Sequence, residues 1–152
     1  MAVREFLEKV KEQNKTVDRI EEQLERTEAE ITRLKSPTFG DKVQSNHQED
    51  LSDTLIRLEE RKEEKLKQLN RLLDMKESAE KMISLLRDET AKNILIYRYI
   101  EGRKWEWIAQ KMKYTDTRWI QRKANNAIAR IGREAKKKRY ERRIRERKKL
   151  SK

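Results

Sequence analysis

Cysteine is absent from the 152-residue chain, histidine and proline occur once each, and glycine occurs three times. Without cysteine there is no disulfide, no thiolate zinc site and no thiol nucleophile. His47 stands alone in a polar stretch and cannot assemble a metal site or a catalytic triad, so it reads as a solvated loop residue. Three glycines and one proline leave too few turn residues for hairpins or phosphate-cradling loops, which argues against all-β and doubly wound α/β folds. The longest unbroken apolar run is Ile94 to Tyr97, and the N-terminus is charged from Arg4 onward. A bilayer span needs about 20 apolar residues, so neither a membrane segment nor a leader is expected, and a cytoplasmic location follows as the expectation. Only 34% of the chain is apolar, against about 45–50% in ordinary globular domains. That is too little for an enzyme with a deep pocket, and no cofactor or metal is expected.

What the chain has in abundance is charge. Lys and Arg number 40, Asp and Glu 28, for a net +12. The excess is uneven. Residues 1–87 hold 18 basic and 20 acidic residues, residues 88–131 hold 10 and 5, and residues 132–152 hold 12 and 3. The first segment has the interspersed signs of a solvated helical scaffold, while the positive excess of the last 65 residues points to a polyanionic partner.

In the first segment Val3, Val10, Val17, Leu24 and Ile31 form one column of a seven-residue repeat, and Phe6, Ile20 and Leu34 the other, with Gln13 and Thr27 interrupting. This is coiled-coil spacing. Residues 36–49 carry the only proline and no helical period, and read as a linker loop. After it Leu51, Leu55, Leu58, Leu69, Leu72, Ala79, Ile83 and Leu86 restore the repeat. Lys62, Lys65 and Lys76 fall on the same seam, and Leu66 and Leu73, one position along, are expected to take over as the stripe drifts. An antiparallel helical hairpin over residues 1–87 results, with a homo-oligomer through the weakened seam as added burial. Charge runs such as Glu59 to Lys65 read as solvated faces.

From Asp88 apolar residues crowd too densely for a stripe, and a small core is expected over 88–131. A helix from Asp88 to Ile100 ends at Glu101-Gly102, where glycine supplies a left-handed cap. A two-turn helix follows over Trp105 to Met112, with Trp105, Ile108, Ala109 and Met112 on one face. A short turn, Lys113 to Asp116, leads through Thr115 or Asp116 as N-cap into a long helix with Trp119, Ile120, Ala124, Ala127, Ile128 and Ile131 inward. That order describes a helix-turn-helix. The fold class is therefore all-α.

On the last helix Thr117, Arg118, Gln121, Arg122 and Asn125 point outward near the N-terminus. Arg pairs with guanine O6 and N7 and Gln or Asn with adenine N6 and N7, so these are the base-facing candidates on double-stranded DNA. Lys104, Lys113, Lys123, Arg130, Arg133, Lys136, Lys137, Lys138 and Arg139 are the phosphate-facing ones. The extension 132–152, helix-prone or disordered, would bind phosphates without reading sequence. An arginine-rich RNA-binding arm is the rival reading, less favoured because the tail has no aromatic platform.

Residues 98–128 also resemble a known family. Arg98-Tyr99, Gly102, Trp105-Glu106, Ile108-Ala109, Met112, Tyr114-Thr115, Arg118-Trp119-Ile120 and Ala127-Ile128 match the C-terminal helix-turn-helix of phage transcriptional regulators of the RinA and ArpU type, itself similar to the last domain of bacterial sigma factors. The piece Lys42-Val43-Gln44-Ser45 looks like the same proteins. Three features depart from the pattern: Thr117 adds a residue to the turn, the tail is longer, and Trp107 fills a slot usually polar, either exposed as a contact or tucked against the hairpin. The resemblance implies a late-gene activator that binds a promoter and engages RNA polymerase in a bacterial host. The alternative is a small-terminase-like DNA-recognition subunit for genome packaging, which combines the same two parts. A coat protein that binds nucleic acid without site preference is a further rival.

Overall fold

The seven-residue repeat of the first segment folds as one helix, α1 (Val3–Leu34), and the second as another, α2 (Ser45–Ser84). The computed structural model describes residues 2–36 and 45–151, with side chains from 50 onward in the second stretch. The heart of the expected linker, the proline and Lys42-Val43-Gln44 lie outside the described residues, as does the side chain of His47. The linker is shorter than 36–49, because α2 already begins at Ser45. Three more helical elements follow. Helix α3 (Glu89–Leu95) widens into a π-helical turn (Ile96–Ile100), α4 spans Trp105–Lys111, and α5 runs unbroken from Thr117 to Leu150. The described residues contain no strand, so the fold is all-α. None of these helices is long and apolar enough to cross a membrane.

Packing divides the chain into two units, Lys15–Asp74 and Met1–Asn14 with Met75–Lys152. In the first, Ile31 and Leu34 of α1 bury against Leu58 of α2, with Leu51 and Leu55 alongside. Ion pairs join Glu28 to Lys62 at 3.1 Å and Lys35 to Glu59 at 2.9 Å. As one partner's number rises the other's falls, so the helices run antiparallel here. The Lys35 ammonium holds the Glu59 carboxyl below the usual carboxylate range. One expectation fails in this unit. Leu66 and Leu73 do not take over the seam; both are exposed, while Lys62, Lys65, Leu69 and Leu72 stay half-buried on it. The lysine stems supply enough apolar length to keep the original register, and the Lys62 ammonium reaches Glu28 of α1.

The second unit holds the tighter core. Leu7, Ala79, Ile83, Ile94, Leu95, Ile108, Ile120 and Ala124 are wholly buried, with Val10, Tyr99, Ala127, Ile128 and Ile131 nearly so. Complete burial of one such aliphatic side chain is worth about 1.5–3 kcal/mol, so the stability of the chain is concentrated here rather than along the seam of the other unit. The change of composition at 87/88 is not a change of packing, since Leu7, Val10, Ala79 and Ile83 share this core with α3, α4 and α5. Burial also forces up the titration of the Tyr99 hydroxyl.

Caps fix the ends. Asp88 Oδ1 accepts from the backbone N–H groups of Thr90 and Ala91 at 3.0 and 3.3 Å, starting α3. The expected simple α-helix to Ile100 is instead widened from Ile96, with Glu101 N–H donating to Ile96 O at 2.9 Å. Gly102 takes φ +71°, the left-handed conformation that glycine adopts without strain. Helix α4 closes with Lys113 N–H donating to Gln110 O and Tyr114 N–H to Ala109 O, and Lys113 itself takes φ 64°. This is a Schellman arrangement with lysine where glycine is usual. Asp116, not Thr115, caps α5 through a 2.9 Å bond from Arg118 N–H.

Two glycines are expected to respond in opposite directions to the same substitution. A Cβ at Gly102 would sit 3.2 Å from Asn14 Nδ2 on a left-handed backbone, so Gly102→Ala should destabilise the fold by about 1 kcal/mol or more. Gly132 lies inside α5 with only ordinary contact, to Val3 at 4.0 Å. Gly132→Ala should stabilise it by up to about 1 kcal/mol. Thermal midpoints below and above the parent would bear this out; a rise for both would mean that the Gly102 turn relaxes freely.

Candidate nucleic-acid interface

The first turns of α5 leave solvent a narrow arc. Ile120, Ala124, Ala127, Ile128 and Ile131 face the core. At 100° per residue the opposite side carries Arg118, Arg122, Asn125 and Asn126, all exposed. Of the base-facing candidates, Arg118, Arg122 and Asn125 therefore stand outward, whereas Thr117 and Gln121 are half-buried on the flank. Asn125 is engaged from α1, its Oδ1 accepting from Arg4 Nη2 at 2.8 Å.

Trp119 corrects the sequence reading most. It was expected inward, yet it is 41% exposed and joins the outward arc. Tyr114, from the turn, stacks on the indole with ring centroids 4.4 Å apart and planes 29° from parallel. Lys123 Nζ lies 5.0 Å from the indole centroid and 3.0 Å from Asp88 Oδ2. The Lys123 ammonium and the Ala91 N–H hold the Asp88 carboxyl below the usual aspartate range. One acidic side chain thus caps α3 and also ties α3 to α5. Asp88, Trp119, Arg122, Lys123, Asn126 and Arg130 border a groove of about 300 Å³.

The phosphate candidates Lys104, Lys113, Arg130, Arg133, Lys136, Lys137, Lys138 and Arg139 are exposed, and Lys123 is half-buried in its pair with Asp88. They do not all come together. Lys104 borders a separate hollow with Arg103, Trp107 and Gln110. The C-terminal extension is helical, since α5 passes through Gly132 without a break. Trp107 is half-buried, edge-on to Tyr97 at 5.3 Å with Arg103 over its ring at 4.4 Å. Arg98 bridges the Gly102 turn, donating to Arg103 O at 3.1 Å and lying 4.6 Å over the Trp105 ring.

Sequence reasoning missed Asn126, Asp88, Tyr114 and Arg4 as parts of this surface. Asn126 could have been found, because it lies one turn beyond Arg122 on the same arc. Arg4 could not, since 121 residues separate it from Asn125. Among the described residues no cluster of three or more acidic or histidine side chains could hold a metal ion. Compared with protein-family models, curated proteins and solved structures, the chain matches none.

Proposed function

We propose that this chain is a non-enzymatic, sequence-specific binder of double-stranded DNA that regulates transcription, with the first turns of α5 in the major groove. The observation that carries the reading is the exposed Arg118–Arg122–Asn126 arc, opposite a fully packed face and following a short helix and a tight turn. Arg and Asn on such a face offer the donor and acceptor pairs that tell guanine and adenine apart. The basic continuation of the same helix supplies charge for phosphates. Control of phage or prophage late genes, engagement of RNA polymerase and a bacterial host rest on the family resemblance alone.

The test is selection of bound sites from random duplexes, followed by transcription from the winning site with and without the protein. A defined consensus and a changed transcript level support the reading. No consensus would favour a coat protein, and a ring of eight or more copies in solution would favour the packaging subunit.

A further inference from the structure

The stack of Tyr114 on Trp119 is an exposed aromatic pair at the end of α5 that carries the arginines, and base hydrogen bonding leaves it unused. Tyr114 precedes Trp119 in the turn, and Lys123 follows it by one helical turn. Tyr114 stacks on the indole and Lys123 Nζ lies over the same ring. The ring edge is the part that neither partner covers. An indole edge cannot receive a stacked base, but it can pack against a methyl group. In the major groove one base carries such a group, the C5-methyl of thymine.

The charge around the stack fits a duplex rather than an apolar protein partner. Lys113, Arg118, Arg122 and Arg130 are exposed around it, and Asp88, the acidic side chain bordering the groove, is already paired with Lys123. We propose that the Tyr114–Trp119 edge reads a thymine methyl beside the base pairs contacted by Arg118 and Arg122. This rests on the duplex-binding reading above and adds the base that the aromatic pair selects. Trp119 is then a specificity residue, and Tyr114 with Lys123 positions it.

Uracil in place of thymine removes the methyl and nothing else. Each thymine of the selected site is replaced in turn by uracil, and the full-length chain is titrated against each duplex. One or two replacements should weaken binding about four-fold, the worth of one buried methyl group. Trp119→Ala should bind thymine and uracil duplexes alike, and Trp119→Phe should keep part of the difference. Unchanged thermal midpoint and unchanged binding to random duplex show that these variants are folded. A parent protein indifferent to every replacement, or a Trp119→Ala variant with the parent's full discrimination, would overturn the proposal while leaving duplex recognition standing. Tighter binding to a site with an unpaired thymine than to the matched duplex would also overturn it, in favour of stacking. Failure to select any site would remove the duplex reading itself, and this inference with it.

Discussion

Replacing Arg118 and Arg122 together by alanine should abolish the preference for a selected site while leaving binding to random duplex mostly intact. Both side chains are exposed and lie one helical turn apart, with the Asp116 cap below them and a fully buried face behind. A bidentate arginine to guanine is worth about 1–3 kcal/mol of discrimination, so loss of two should reduce specific affinity about 30-fold or more. Non-specific binding comes from the whole basic surface and should fall only slightly. Exposed substitutions of this kind normally change stability by less than about 0.5 kcal/mol, which the thermal midpoint checks. Equal loss on specific and random duplexes would mean that these arginines touch phosphates, and the base-reading surface would have to lie elsewhere.

Truncation after Ile131 should have the second large effect, and of the opposite kind. Residues 132–152 hold 12 basic and 3 acidic side chains. Removing them should weaken specific and random binding alike and flatten the dependence of log affinity on log salt, by about 0.9 for each phosphate no longer neutralised. The core should survive, because beyond Ile131 the helix has no buried side chain. An unchanged slope would show that the extension does not meet the duplex at all. Comparing the two variants separates the roles, since one changes sequence preference and the other changes salt dependence.

Periodicity made the long elements legible. The repeat predicts the buried side of α1: Val10, Ile20, Leu24, Ile31 and Leu34 are buried, while Val3, Phe6 and Val17 are half-buried. Leu7 falls outside both columns, yet it is wholly buried, because that end of α1 joins a core with neighbours on more than one side. Turn chemistry was readable as well: Gly102 takes the left-handed conformation and Asp116 the cap. The π-helical turn left no signal in the spacing, although two of its residues, Tyr99 and Ile100, are buried. Apolarity alone places Trp119 inward beside Ile120, and the structure does not. Its position, 100° round the helix from Ile120, puts it on the rim, where the Tyr114 ring and the Lys123 ammonium give it partners that no spacing rule foretells. The half-buried lysines of α2 follow the same lesson, for Lys62 and Lys65 cover the seam with their stems, and the Lys62 ammonium also pairs with Glu28.

The unbroken course of α5 puts two kinds of surface on one axis. Near Thr117 the helix is polarised, with one side apolar and sealed and the other open. Beyond Gly132 it is nearly isotropic: Lys136, Lys137, Lys138 and Arg139 are consecutive, and at 100° each they span most of the circumference. Turning the first part about its axis would carry the arginines away from the bases, whereas turning the second would exchange one cation for another. The same rod is therefore sensitive to azimuth at one end and indifferent to it at the other, so the extension can hold a duplex without dictating the angle at which the arginine arc meets it.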